Sequence, residues 1–205
     1  MTRHIQKVLI CAGARDGVNP LYKQAAAEMG ALLGKNGYDI VYGGGNVGLM
    51  GAGAAAAQAH GSKVTGYLAS AFAAAGRELP NCAKMETLET LFLRKERMVL
   101  DSDAGIILPG GIGTLDELLE LAADNDIARY IDKGVRVKPI VVLNLNGYFD
   151  GMAMQMDRCV AEGFMNAEQT RMVHFVTTVD QAIAVLNSQN VEPIYGRDLF
   201  PGQRP

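Results

Sequence analysis

Short apolar runs alternate with helix-like segments along almost the whole chain. Val8 to Cys11, Ile40 to Tyr42 and Pro139 to Leu145 are such runs, and helical patterns lie between them, for example from Pro20 to Asn36. Repetition of this kind predicts an α/β fold, with a Rossmann-like, doubly wound, mainly parallel sheet and helices on both faces. Ligands of such sheets bind beyond the carboxyl ends of the strands, so a functional site is expected at that edge.

The size and charge of the chain limit what it can be. Its 205 residues contain no linker or low-complexity segment, which predicts one domain over residues 1–190 and a polar, surface-lying tail over 191–205. A net charge of −3 gives no electrostatic reason to bind nucleic acid. No apolar run approaches the ~20 residues that span a membrane. Three widely separated cysteines suggest neither disulfides nor a metal site, so a cytoplasmic location is expected.

The segment P-G-G-I-G-T-L-D-E, from Pro109 to Glu117, directly follows the apolar run Ala104 to Leu108. Glycines at a strand-to-helix junction leave backbone N–H groups uncovered by side chains. The first N–H groups of a helix attract anions, because they lack partners and lie at the positive end of the helix dipole. A phosphate group could therefore bind here, with the Glu117 carboxylate one turn further along. The residues expected to hold it are Gly110, Gly111, Gly113 and Thr114.

Thr114 and Glu117 also form the T-x-x-E pattern of a capping box, in which Glu117 would only hydrogen-bond back to the start of its helix. On these residues alone both interpretations stay open. The position of Glu117 near a helix N-terminus predicts a lowered pKa. A carboxylate of this kind stays ionised and is suited to orienting a water molecule or stabilising positive charge.

A second glycine cluster follows the run that ends at Tyr42. Gly43, Gly45 and Gly48 match the G-x-G-x-x-G pattern of a dinucleotide site. That pattern also needs an acidic residue about 20 positions later to hold a ribose. There is no Asp or Glu between Gly48 and Arg77, which argues against NAD or FAD. A mononucleotide, a sugar phosphate or a simple packing turn remains compatible with these glycines.

Arg94 lies on the predicted helix just before the strand that carries the first glycine loop. Two interpretations fit Arg94: a cation that binds a phosphate or carboxylate, or part of a solvated basic face with Arg97 that pairs with Glu96 and Asp101. The three histidines show no metal-ligand spacing, and no G-x-S-x-G elbow is present. Cys11 has no neighbouring base in the sequence, so a nucleophilic triad is not expected.

Several motifs in this chain resemble those of the LONELY GUY family of cytokinin riboside 5′-monophosphate phosphoribohydrolases. Arg94 to Met98 resembles the R-K-x-x-M motif, and Pro109 to Glu117 resembles P-G-G-x-G-T-x-x-E. Val41 to Gly51 is similar to V-Y-G-G-G-x-x-G-L-M-G, and Gly147 to Asp150 is similar to G-Y-Y-D. The similarity extends from about Val8 to Val176.

The resemblance implies an activity and a set of site residues. Members cleave the N-glycosidic bond of nucleoside 5′-monophosphates to a free base and ribose 5-phosphate. They need no organic cofactor and no metal, and they work as dimers or larger homo-oligomers with the site at a subunit interface. Arg94 and Glu117 match the catalytic pair. Residues matching substrate-binding positions are Gly43, Gly44, Glu78, Lys95, Gly110, Gly111, Ile112, Gly113, Thr114, Leu115 and Asp116.

The chain departs from the family pattern around the expected base pocket. Ala123-Asp124 replaces a Thr-Trp pair, Phe92-Leu93 replaces residues that include a histidine, and 124–137 is longer than in compact members. Release of adenine from AMP is therefore expected before action on prenylated cytokinin ribotides. Two alternatives are a nucleotide or cofactor carrier without turnover and the lysine decarboxylase label used for related sequences. The second lacks a local motif for pyridoxal phosphate.

Overall fold

Residues 4–73, 76 and 78–199 are described by the computed structural model of this chain. Within them the sheet has seven strands in the order β4-β3-β2-β1-β5-β6-β7, and every neighbouring pair is parallel. The predicted α/β class is confirmed, and the sheet is wholly parallel. The strands are β1 Lys7–Cys11, β2 Asp39–Tyr42, β3 Val64–Ala69, β4 Lys84–Leu88, β5 Ala104–Ile107, β6 Ile140–Leu143 and β7 Val173–Val176.

Helices cover both faces of the sheet, as the doubly wound pattern predicts. Successive side chains of β1 point to opposite faces, so Val8 and Ile10 pack on one side while Leu9 and Cys11 pack on the other. On the first side α1, α2 and α7 close the core, and on the second side α4, α5 and α6 do so. The helices are α1 Pro20–Lys35, α2 Gly48–Ala59, α3 Ser70–Ala73, α4 Leu91–Leu100, α5 Ile112–Ile131, α6 Asp150–Ala161 and α7 Val179–Val191.

A topological switch point lies between β1 and β5, the neighbouring strands at the centre of the sheet. The chain leaves β1 into α1 on one face and leaves β5 into α5 on the other face. The two loops therefore diverge and open a crevice at the carboxyl edge, where ligands of this class of sheet bind. Both glycine clusters of the sequence follow strands that end at this edge.

The small residues of α2 allow unusually close packing between two helices. A Cβ atom on Gly30 of α1 would overlap the carbonyl of Gly53 in α2, and one on Gly34 would meet the backbone of Ala57 and His60. The glycines therefore bring the two helix backbones into direct contact.

Two expectations about local structure need correction. Helix α5 begins at Ile112 and not at Thr114, so Gly111 is the N-cap and no capping box forms between Thr114 and Glu117. The tail does not lie on the surface throughout, because Ile194 and Leu199 are buried in the core. The end of the tail, 200–205, lies outside the described residues.

In the described part of the chain, each helix is either too short or too polar to cross a lipid bilayer.

Candidate active site at the carboxyl edge of the sheet

Three loops meet at the switch point and are held together by their backbones. The Gly13 N–H donates to the Pro109 carbonyl over 3.0 Å, and the Met50 N–H donates to the Gly13 carbonyl over 3.2 Å. Gly48 has a φ of +62°, and a Cβ atom there would overlap the backbone of Ala14 and Arg15. These contacts connect the loops after β1, β2 and β5 to one another at the base of the candidate site.

The loop after β5 presents an open row of backbone N–H groups. Thr114 and Leu115 donate their N–H groups to the Gly111 carbonyl, so the N–H groups of Gly111, Ile112 and Gly113 precede the first intrahelical donor. Among the described residues, no atom would lie within 4 Å of a Cβ built on Gly111 or Gly113. The protein itself therefore leaves space above this segment, which is what an anion would need.

Gly110 and Thr114 of this loop pack tightly against each other. A Cβ atom on Gly110 would overlap Thr114 Oγ1, and Thr114 is only 4% exposed. Thr114 thus supports the loop from below with its side chain. Whether Thr114, Leu115 and Asp116 contact a substrate remains a prediction. Leu115 packs partly into the core, while Asp116 is exposed.

Arg94 and Glu117 form a buried ion pair beside this loop. Arg94 Nη1 lies 3.2 Å from Glu117 Oε1, and the two side chains are 13% and 12% exposed. Arg94 Nε donates to the Tyr67 carbonyl of β3 over 2.9 Å, which fixes the plane of the guanidinium group. The solvated basic face suggested as an alternative for Arg94 is therefore excluded.

Gly43 provides the space through which the Arg94 side chain passes. A Cβ atom on Gly43 would overlap Arg94 Nη2 and approach the Met50 sulfur. Gly43, which directly follows β2, thus touches the predicted catalytic arginine, and this contact requires a glycine whether or not a substrate binds there. Gly44 follows in the left-handed region with a φ of +83°. Direct contact of either glycine with a substrate remains a prediction.

The electrostatics of Glu117 differ from the expectation based on its helix position. Burial raises the pKa of Glu117, and this outweighs the opposing effects of Arg94 and of the Cys11 thiol, which both lower it. The expected lowering of the pKa is therefore wrong, because desolvation penalises the charged carboxylate more than its surroundings favour it. Glu117 is nevertheless directed at Arg94 and Cys11 rather than back at its own helix start.

Lys95 lies next to the pair but is occupied by acidic side chains of α5. Its ammonium group is 3.0 Å from Asp116 Oδ2 and also forms an ion pair with Glu120. These carboxylates, Glu120 foremost, raise the pKa of Lys95. A substrate would have to compete with both acids for this lysine, so its substrate-binding role stays a prediction.

Glu78 lies at the rim of the same edge. Its backbone forms an antiparallel bridge with Gly45, and the neighbouring Leu79 N–H donates to the Gly44 carbonyl over 3.4 Å. Glu78 is exposed, so its carboxylate faces solvent at the second glycine turn. This location is compatible with its predicted contact with a substrate.

Two residues near Arg94 and Glu117 were missed by reasoning from the sequence. Cys11 ends β1 in full burial, and its thiol interacts with the Glu117 carboxylate. Tyr148 donates its hydroxyl proton to the Gly110 carbonyl over 2.6 Å. Their positions in the sequence could have indicated them. Cys11 ends a strand and Tyr148 follows one, and the carboxyl ends of these strands lie at the edge that carries the glycine loops.

The sequence of the chain was compared with families and with known proteins. A family model described as "Possible lysine decarboxylase" matches residues 50–186. The probable cytokinin riboside 5′-monophosphate phosphoribohydrolase LOGL5 of Oryza sativa subsp. japonica is 33% identical over 183 residues, which cover 88% of this chain and 71% of that protein. The chain belongs to the LONELY GUY family. The LONELY GUY protein LOG2 of Arabidopsis thaliana is 30% identical over 181 residues, covering 88% of this chain and 82% of LOG2.

A solved structure of a protein with another function has the same fold as this LONELY GUY chain. The molybdenum cofactor binding protein from Rippkaea orientalis superimposes with a TM-score of 0.67 over 90% of this chain and 96% of its own, at 18% identity. At this identity the likeness shows the Rossmann-like α/β fold alone.

Proposed function

We propose that this LONELY GUY protein hydrolyses the N-glycosidic bond of nucleoside 5′-monophosphates, with AMP as its first substrate, and releases the free base and ribose 5-phosphate. The observation that carries the proposal is the buried Arg94–Glu117 pair beside the open N–H groups of Gly111 to Gly113. The site thus combines a fixed charge for the sugar with a phosphate-binding loop. Membership of the family supports the same reaction.

The chemistry requires stabilisation of positive charge on the ribose. As the bond between the anomeric carbon and the base nitrogen breaks, its electron pair leaves with the base and the ribose becomes oxocarbenium-like. The ionised Glu117 carboxylate stabilises that charge and positions the attacking water, whose oxygen bonds to the anomeric carbon. One proton of that water ends on the released base.

Arg94 and the glycine loop support this step from two sides. The Arg94 guanidinium is held by the Tyr67 carbonyl, so it keeps Glu117 in one orientation and favours its ionised form. The loop holds the phosphate far from the reacting bond, and this remote binding energy can be used at the transition state. No cofactor is required for these steps.

Lysine decarboxylation, the description of the matching family model, is less compatible with the site. That chemistry requires a lysine that can attack an aldehyde as a neutral amine. Lys95 is paired with Asp116 and Glu120, and these acids raise its pKa and keep it protonated. The lysine beside the catalytic pair is therefore a poor candidate for a Schiff base.

The protein is proposed to act in the cytoplasm as a homodimer or larger homo-oligomer. An exposed apolar stripe on α5 supports the oligomer. Leu119, Ile127 and Tyr130 are 54%, 61% and 73% exposed, and their spacing places them along one side of the helix with Ala123. An apolar helix face of this length is a usual site of subunit contact.

The decisive experiment is incubation with AMP followed by chromatography for free adenine. We expect adenine release by the wild-type protein and a loss of about 100-fold or more in Glu117→Gln, the size typical when a catalytic group is removed. Glu96→Gln, an exposed position on α4, is the matched control and should retain activity. Binding of AMP without release of adenine would instead support the carrier alternative.

Base preference needs a second assay. AMP and N6-prenylated AMP are compared by kcat/KM under the same conditions. Because Phe92 and Ala123 replace residues common in the family, we expect AMP to be the better substrate.

A further inference from the structure

The segment from Asn144 to Asp150 folds into a rigid turn after β6. Asn146 and Gly147 both adopt the left-handed region, with φ of 55° and 72°. The Asn144 side chain accepts the Phe149 N–H over 2.7 Å and donates to Asp150 Oδ1 over 2.7 Å. Glycine suits position 147, because its φ lies in the left-handed region and a Cβ atom there would overlap the Asp150 carboxylate. The turn has a conformation that its own polar residues specify.

This turn directs Tyr148 across the crevice to the phosphate loop. The hydroxyl donates to the Gly110 carbonyl over 2.6 Å, between residues 38 positions apart. The ring packs edge-on against Tyr22 of α1 and against Phe149, with centroids 5.5 and 5.0 Å away. Phe149 is buried and Tyr148 is 43% exposed, so the turn is anchored in the core while the tyrosine lies at the edge of the site.

The Gly110 carbonyl is a sensitive place for such a contact. The C=O of one residue and the N–H of the next share a planar trans peptide, so they point in opposite directions. A hydrogen bond that holds the Gly110 carbonyl therefore also sets the direction of the Gly111 N–H. Gly111 is the N-cap of α5 and the first of the open N–H donors. Gly111 is exposed, and no side chain packs against its Cβ position.

We propose that Tyr148 is a positioning residue that aims the Gly111 N–H at the substrate phosphate. The inference rests on the proposed function, because it concerns the same phosphate site. It assigns a role to the Gly147 to Asp150 motif, to which the proposed chemistry of Arg94 and Glu117 gives none. Loss of the hydroxyl should weaken phosphate binding, while the chemistry at the sugar continues once the substrate is bound.

The test compares Tyr148→Phe with Tyr22→Phe, which removes a hydroxyl from the adjoining ring. Affinity for ribose 5-phosphate is measured by calorimetry, and kcat and KM are measured for AMP. Loss of one hydrogen bond in Tyr148→Phe should raise the dissociation constant of ribose 5-phosphate and the KM for AMP by about 2- to 10-fold. The kcat should stay within about twofold, as expected for loss of ground-state and transition-state binding together. Tyr22→Phe should match the wild type.

Hydrogen exchange at Gly111 to Thr114 gives a readout that does not depend on activity. We expect faster exchange there in Tyr148→Phe than in either the wild type or Tyr22→Phe. Unchanged ribose 5-phosphate affinity, a lowered kcat at constant KM, or no ribose 5-phosphate binding by the wild type would overturn the proposal. Absence of adenine release by a wild type that still binds ribose 5-phosphate would refute the proposed function instead, and the affinity comparison would still decide the role of Tyr148.

Discussion

The protonation of Glu117 depends on four influences that come from different parts of the chain. Burial under α4 and α5 raises its pKa, and the neighbouring Asp116 raises it further. Arg94 and the Cys11 thiol lower the pKa, because each favours the charged form. The thiol can act as a donor since burial raises the pKa of Cys11 as well and keeps it protonated. Two neighbours thus partly compensate for the desolvation of the carboxylate.

Replacement of Cys11 by valine should shift the pH dependence of the enzyme. The variant removes a group that favours ionised Glu117, so the pKa of Glu117 rises further above the usual range. If the ionised form is active, the acid limb of kcat/KM for AMP then moves to higher pH. Cys11→Ser keeps a donor and should remain close to the wild type. Identical acid limbs in Cys11→Val and the wild type would show that the thiol does not influence Glu117.

Helix α5 links the site to the exposed apolar stripe. Its first turn forms part of the proposed phosphate loop and its sixth residue is Glu117, while Leu118 and Leu121 are buried on its inner side. The longer segment over 124–137 falls on the second half of this helix and on the turn after it. Ile127 is ten residues beyond Glu117, or about 15 Å along the axis at ~1.5 Å per residue. The extra length therefore lies at the far end of the helix from Glu117, where it adds exposed apolar residues such as Ile127 and Tyr130.

Charges placed on the stripe should disrupt the proposed oligomer. In Ile127→Asp/Tyr130→Asp, each carboxylate would have to be buried in the interface, which costs several kcal/mol unless it is paired. We expect sedimentation velocity to show a shift toward monomer, with lower adenine release per chain. Val191→Asp, an equally exposed apolar position on the opposite face of the sheet, is the control. An unchanged assembly in the double variant would place the interface elsewhere.

On the scale of the whole molecule, the sheet order brings distant segments to one edge and the tail closes one face. The backbone of Ile194 accepts the Val137 N–H over 2.8 Å, and Arg136 forms a bridge with Tyr195. Leu199 is fully buried in the core cluster that also contains Leu118 of α5. The described part of the tail is therefore an integral part of the layer that carries Glu117.

Truncation of the Leu199 side chain should destabilise the protein. Leu199→Ala leaves a cavity in a packed core, with an expected loss of about 2–5 kcal/mol in the free energy of unfolding. Urea denaturation measures this loss, and Val191→Ala serves as a control because Val191 is 75% exposed. A loss no larger than that of the control would mean that the tail contributes little to the core.

The sequence alone determined the fold class, the bounds of most elements and the glycine loops. Helix α1, Pro20–Lys35, agrees with the predicted segment Pro20 to Asn36 to within one residue, because helix signals act over neighbouring positions. The start of α5 was predicted two residues late, since T-x-x-E is a common capping pattern and Gly111 took the cap instead. The pairing of Arg94 with Glu117 entered only as an implication of the family resemblance.

Only the tertiary structure decided the electrostatics and the supports of the site. Whether burial or the helix dipole dominates the pKa of Glu117 depends on how deeply α4 and α5 cover it, which no local pattern contains. The contacts of Cys11 with Glu117 and of Tyr148 with Gly110 join residues that are far apart in the chain. They exist because the parallel strands β1, β5 and β6 are neighbours in the sheet, and strand order is a property of the whole packed molecule.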